Sequence, residues 1–338
     1  MKILLIYTGG TIGMIHDTES GAYIPFDFEN LQEQIPELNQ LDCELEVISF
    51  DKSIDSSNMH PKVWTQLGKT IEDNYLKYDG FVILHGSDTM AYTSSALSFI
   101  LENLNKPVIL TGSQLPSGVP RTDAKENLIT AIEIATSTRD GKPEVPEVAV
   151  YFEYQLYRGN RTHKVNAEHF EAFESVNYPA LAEAGVHIKF NRRYTQNLSE
   201  EKLIVHKEFN DNIGVLKLFP GITESTVNAV LSAPKIEAII LETFGSGNAP
   251  TYKWFLAAIK KATTKGIIIL NVSQCQGGSV ELGRYQTSKA LKDMGVLSAF
   301  DMTFEAALTK LMFVLEYSKD TDRRIQLITS NLQGELSS

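Results

Sequence analysis

The sequence predicts an α/β fold: two α/β domains with mainly parallel sheets, the larger one first. Three observations predict it. Short continuous apolar runs alternate with longer stretches of helical periodicity, the pattern of parallel βα units. The chain has 338 residues, enough for roughly two domains. A polar stretch at 191–202 has no apolar period and sits where a linker belongs.

The elements follow in order. Apolar runs at 3–7, 45–50, 80–84, 107–110 and 148–152 read as buried strands. Between them, Val63, Trp64, Leu67, Ile71 and Tyr75 keep a 3.6-residue spacing behind Pro61, a favoured helix-start residue. Residues 91–104 and 124–135 read as helices too, the second opened by Asp123 as N-cap. This is a flavodoxin/Rossmann-like N-terminal domain, taken as 1–190. After a linker at 191–209 the alternation resumes in a C-terminal α/β domain, 210–338. Its strands are expected at 213–218, 238–243 and 267–272, and its helices at 226–231, 254–262, 288–294 and 304–317.

Composition narrows the function. Lys and Arg number 31 against 42 Asp and Glu, a net charge of −11, which argues against nucleic acid or an anionic membrane as partner. No apolar stretch approaches the ~18 residues of a membrane helix, and no secretory signal opens the chain. The two cysteines, Cys43 and Cys275, form no metal or disulfide pattern, and the seven histidines contain no HExxH. The expectation is a cytoplasmic protein with no metal and no cofactor.

In open parallel sheets ligands bind beyond the carboxyl ends of the strands. The first strand runs into Thr8-Gly9-Gly10-Thr11-Ile12-Gly13, which is neither a Walker A loop nor a GxGxxG fingerprint. The second leads to Asp55-Ser56-Ser57-Asn58, the third to His85-Gly86-Ser87-Asp88-Thr89-Met90 and the fourth to Thr111-Gly112-Ser113-Gln114. Alone, the first reads equally well as a plain βα turn and the second and third more readily as helix caps, but hydroxyls after four successive strands exceed what caps require. A hydroxyl nucleophile needs a base, and Lys164, after the fifth strand, is the candidate. A lysine desolvated in a pocket accepts a proton more readily, and Asp88 is placed to orient it.

The pairing of Tyr7-Thr8-Gly9-Gly10-Thr11-Ile12-Gly13 with His85-Gly86-Ser87-Asp88-Thr89-Met90 resembles the two signatures of bacterial-type L-asparaginases. The resemblance spans essentially the whole chain. Leu156-Tyr157-Arg158-Gly159-Asn160-Arg161-Thr162, Gly245-Ser246-Gly247-Asn248-Ala249-Pro250 and Asn331-Leu332-Gln333-Gly334-Glu335-Leu336 are similar to the cytoplasmic type I branch. The resemblance implies hydrolysis of L-asparagine to L-aspartate and ammonia through a β-aspartyl ester on Thr11. It implies Ser87, Asp88 and Lys164 as the rest of the catalytic set, with Tyr23 on a mobile loop that closes over the site. It also implies Asp55, Ser56 and Ser57, with Ser87 and Asp88, as the substrate-binding groups, and a homotetramer built as a dimer of dimers. One departure is visible: Ser87 stands where the family usually has threonine, keeping the hydroxyl but not the methyl that restricts its rotamer.

Some type I members also bind asparagine at an effector pocket. The resemblance places it at Cys275, Glu242 and His163. Glu242 stands where the nearest relatives have arginine and His163 where they have threonine, so the charge offered to a substrate carboxylate is reversed. Two other functions stay open at this point. One is an amidase subunit for transfer-RNA-dependent amidation, against which the strand beginning at Ile3 and the acidic charge weigh. The other is a non-catalytic amino-acid sensor, against which the intact Thr11, Asp88 and Lys164 weigh.

Overall fold

A parallel strand covered on both faces carries a near-continuous apolar run rather than an alternating one. Four strands of the N-terminal sheet are of that kind: β1 (Lys2–Tyr7), β3 (Gly80–Leu84), β4 (Val108–Thr111) and β5 (Val148–Phe152). The fifth parallel strand, β2 (Glu44–Ser49), alternates exposed and half-buried residues because it lies at the sheet edge. The computed structural model describes residues 1–16, 23–25 and 35–337. They fall into two units, Met1–Lys207 and Glu208–Ser338.

In the first unit the parallel strands lie in the order β2-β1-β3-β4-β5. The chain steps from β1 to one side and then back to the other, so the order reverses between β1 and β3. That switch point is where loops leaving neighbouring strands diverge and a crevice opens. Three antiparallel strands extend the sheet beyond β5: β6 (Gln155–Arg158), β7 (Ala182–Ala184) and β8 (Ile188–Phe190). Helices α1 (Pro61–Asn74), α2 (Met90–Ile100) and α3 (Ala124–Thr136) connect the parallel strands. On α1 the buried Trp64, Leu67, Gly68 and Ile71 keep the spacing read from sequence, and the His60 ring accepts the Lys62 N–H at the cap. Helix α2 is buried nearly all round, which its small Ser94, Ser95 and Ala96 permit.

Two expectations are corrected here. The helix read at 91–104 ends at Ile100, because Leu101 leaves the helical conformation and Asn103 adopts φ 61°. Leu101–Glu102 instead pairs with Ile204–Val205. That pairing ties down the stretch read as a linker. Gln196 donates its N–H to Glu147, Ser199 donates to Asn105, and the unit boundary falls after Lys207.

The second unit holds a four-stranded parallel sheet in sequence order: β9 (Ile213–Lys217), β10 (Ala238–Thr243), β11 (Ile268–Ser273) and β12 (Leu297–Ser298). Its helices are α4 (Glu224–Leu231), α5 (Lys253–Thr264), α6 (Gln286–Asp293), α7 (Phe304–Tyr317) and α8 (Thr321–Thr329). Its core gathers Leu216, Val227, Ile239, Leu241, Phe255, Ile259, Ile269 and Leu291. Lys310 of α7 pairs with Glu335 at 2.5 Å, both fully buried, and anchors the C-terminal residues. A buried pair of this kind is costly to break from one side. No helix among the described residues is long and apolar enough to cross a membrane.

Candidate active site

The first loop owes its shape to two glycines. Gly9 has φ 136° and Gly10 φ 91°, backbone that L side chains rarely adopt. Space forbids a side chain as well: a Cβ on Gly9 would lie 2.2 Å from the Ile54 carbonyl oxygen, and one on Gly10 would lie 2.4 Å from the Gly86 nitrogen. The loops after β1, β2 and β3 therefore touch backbone to backbone. Thr8 reinforces this, donating its N–H and hydroxyl to the Leu84 carbonyl at 3.0 and 2.9 Å, while Ile54 donates to the Thr8 carbonyl. Tyr7 packs across Gly13 and donates to its carbonyl at 3.3 Å. Thr11 opens the single turn Thr11–Gly13 at the switch point, half-buried. Among the described residues no side chain hydrogen-bonds its hydroxyl.

After β2, Asp55 does cap its short turn. Its Oδ1 accepts the Ser57 N–H at 2.9 Å and the Ser57 hydroxyl at 2.7 Å. Those bonds hold the Asp55 carboxyl below the usual carboxylate range, the backbone donor contributing most. Ser56 is buried against Gly86, and its carbonyl accepts the Thr89 hydroxyl at 2.7 Å.

After β3 the capping reading fails. Neither Ser87, Asp88 nor Thr89 makes a side-chain cap bond to its helix. Lys164 reaches them instead, donating to Ser87 Oγ at 2.8 Å and to Asp88 Oδ1 at 2.7 Å. Lys164 sits on a two-residue strand paired with Phe173–Glu174. Its preceding turn, Gly159–Arg161, is fastened to α2 by the Ser94 hydroxyl, which donates to the Gly159 carbonyl at 2.8 Å. Arg158 and Glu147 form a buried pair at 2.6 Å behind it. The side chain of Lys164 is only 15% exposed, whereas that of Asp88 is 67% exposed. The basic end is shielded and the acidic end faces outward.

His85, beside Ser87 in sequence, has a structural task. Its Nδ1 lies 2.6 Å from the Gly86 carbonyl and must donate to it; Nε2 faces the Thr93 hydroxyl at 2.9 Å, which also receives the Trp64 N–H. The fully buried ring is pushed down to about 4 by desolvation and stays neutral. It aims the peptide that precedes Ser87.

The fourth loop holds what sequence reading missed. Ser87 donates to Gln114 Oε1 at 3.2 Å, and Gln114 Nε2 donates to the His169 carbonyl at 2.9 Å. Asp123 stands at the start of α3 but makes no cap bond. Its carboxylate turns to accept the N–H groups of Gln114 and Leu115. Gln114 was visible only as the end of a hydroxyl-bearing loop, with no spacing to connect it to Ser87.

The remaining candidates fall in different units or outside the described residues. Tyr23 begins a short strand, Tyr23–Pro25, that pairs with Met14–His16 directly after the glycine turn; its side chain and the loop at 17–22 lie outside the described residues. Glu242 and Cys275 belong to the second unit and His163 to the first. Glu242 faces Lys217 at 3.4 Å, and Cys275 is exposed. No group of three or more His, Cys, Asp or Glu among the described residues is arranged to hold a metal ion.

The arrangement suits acyl transfer: a hydroxyl on a constrained turn, a shielded lysine fixed by a carboxylate and a second hydroxyl, and an anchored carboxylate nearby. Comparison with known proteins agrees. Residues 2–196 match the family model described as asparaginase, N-terminal, and residues 212–327 that of the glutaminase/asparaginase C-terminal domain. The sequence is 43% identical to L-asparaginase 1 of Escherichia coli K12, covering 99% of this chain and 98% of that one. The fold matches L-asparaginase I of Vibrio cholerae with a TM-score of 0.89 at 39% identity, covering 100% of this chain and 99% of that one. It matches the thermostable L-asparaginase of Thermococcus kodakarensis with a TM-score of 0.91 at 32% identity, covering 100% of both chains.

Proposed function

This chain belongs to the asparaginase family, and from that premise we propose how it hydrolyses L-asparagine to L-aspartate and ammonia. Thr11 Oγ1 attacks the side-chain amide carbon of asparagine. Its proton passes through Lys164 to the amide nitrogen, the C–N bond breaks, and ammonia leaves a β-aspartyl ester on Thr11. Water then attacks the ester carbon, gives its proton to the same relay, and the hydroxyl of Thr11 is restored. Asp88 and Ser87 fix the Lys164 ammonium through bonds of 2.7 and 2.8 Å, which orients it for moving protons, and backbone N–H groups at the crossing of the loops meet the developing oxyanion. Asp55, kept ionised, receives the α-ammonium of the substrate, with Ser56 and Ser57 on the α-carboxylate side. Tyr23 completes the set from the short strand paired with the one that follows the nucleophile's turn.

The observation that supports this most directly is the backbone contact of Gly10 with Gly86. Each glycine immediately precedes one of the two hydroxyl residues, Thr11 and Ser87, and Ser87 carries the Lys164–Asp88 pair. The experiment is ammonia release from asparagine, glutamine and a peptide amide by the protein and by Thr11→Ala. Asparagine is expected to be the best of the three, and Thr11→Ala to lose several orders of magnitude in rate with its fold intact. The same reading places the enzyme in the cytoplasm as a homotetramer, a dimer of dimers, with a small zwitterion as substrate.

A further inference from the structure

The loop after β4 ends at Gln114, a residue the reaction above leaves without a role. We propose that Gln114 is a positioning residue for the hydrolysis, fixing the Ser87 hydroxyl so that its oxygen accepts from Lys164. The inference rests on the reading that Ser87 and Lys164 act in catalysis. A serine side chain has three staggered wells and no γ-methyl to choose among them. Something else must hold it, and two contacts do: Lys164 Nζ at 2.8 Å and Gln114 Oε1 at 3.2 Å.

The direction of these bonds follows from the glutamine's own partners. Its Nε2 donates to the His169 carbonyl at 2.9 Å, so the oxygen end must face Ser87. An amide oxygen only accepts, so the single hydroxyl hydrogen of Ser87 points to Gln114 and its lone pairs are left to Lys164. The backbone of Gln114 is in turn held by Asp123, which is buried and accepts its N–H at 2.9 Å. His169 lies between the strand carrying Lys164 and the strand Phe173–Glu174 that pairs with it. Gln114 thus fixes the partner of Lys164 and the ribbon of Lys164 from one point.

The test compares kcat and KM for asparagine in Gln114→Met, Ser87→Thr, the double variant and Ser87→Ala. Methionine keeps the length of glutamine without its donor or acceptor. In the Ser87 protein, Gln114→Met is expected to lower kcat about tenfold with KM changed less than about twofold. In the Ser87→Thr background the methyl holds the rotamer, and the same replacement is expected to cost about threefold or less. Equal losses in both backgrounds, a loss confined to KM, or no loss would overturn the proposal. If Gln114→Met does not fold by circular dichroism, Gln114→Ala takes its place in the same cycle. Undiminished kcat in Ser87→Ala would instead show that Ser87 takes no part, overturning the reading beneath the proposal as well. A loss in Ser87→Ala with none in Gln114→Met would sink the proposal alone.

Discussion

Gly10 and Gly86 touch so closely that a methyl group on Gly10 would sit 2.4 Å from the Gly86 nitrogen and 2.5 Å from its Cα. This contact joins the loop of the proposed nucleophile to the loop of the lysine relay. Gly10→Ala adds a clash to a left-handed backbone and is expected to cost about 2–4 kcal/mol of stability and most of the activity. Gly141 supplies the control, since its φ is 74° but nothing lies within 4 Å of an added Cβ. Gly141→Ala is expected to cost only about 1–2 kcal/mol, the backbone strain alone, with turnover unchanged. Urea unfolding and initial rates on both variants decide it; equal effects would mean that the contact is unimportant.

Asp88 separates function from stability. Its carboxylate is 67% exposed although it binds the shielded Lys164 at 2.7 Å, and an ion pair so open to water contributes less than about 1 kcal/mol to folding. Asp88→Asn is therefore expected to lower turnover about 10²–10⁴-fold while the unfolding midpoint barely moves. A large loss of stability with little loss of rate would reverse the assignment.

The neutral His85 ring makes stability depend on pH with a definite sign. Its folded value of about 4 lies below the ordinary 6.5, so the unfolded chain binds the extra proton. Its contribution of ~3 kcal/mol is complete above pH 6.5 and drains away as pH falls toward 4. Glu153 acts oppositely, because burial and then the charges of Asp123, Glu126 and Glu171 push it up to about 7. Its contribution is lost as pH rises from about 4.5 to 7. The measurement is an NMR titration of ring nitrogens in Glu153→Gln, where His85 is expected to stay neutral and Nδ1-protonated down to about pH 4. Protonation near 6.5 would contradict the chain from Trp64 through Thr93 to Gly86.

Much of this was legible in the sequence, and the reasons for the rest are physical. Strands β1, β3, β4 and β5 announce themselves because burial on both faces demands unbroken apolar runs. Strand β6 does not, because the turn before it uses Glu153 and Tyr154 at φ 41° and 69° instead of glycine or asparagine. Helix α8 buries Leu327 and Ile328, but a single turn of apolar residues in so short and polar a segment sets no readable period. At the site, Ser87 and Asp88 could equally have been caps until the structure showed their bonds going to Lys164. Gln114 was unreadable for another reason: its contact with Ser87 comes from a different strand end, and no local pattern encodes it.

The effector position makes a kinetic prediction. Glu242 puts a carboxylate on β10, facing Lys217 at 3.4 Å, whereas the effector pocket that the family resemblance implies would call for a cation at this position. Initial rates are expected to follow a hyperbola in asparagine concentration. A sigmoidal curve would show that asparagine binds a second site despite this charge.

Every proposed role at the site depends on Thr11 carrying the acyl group. Rapid acid quenching during turnover of asparagine, followed by proteolysis and mass spectrometry, tests it directly. The expected result is an aspartyl ester on Thr11, absent from Thr11→Val. An aspartyl group on any other residue, or undiminished turnover in Thr11→Val, would contradict it.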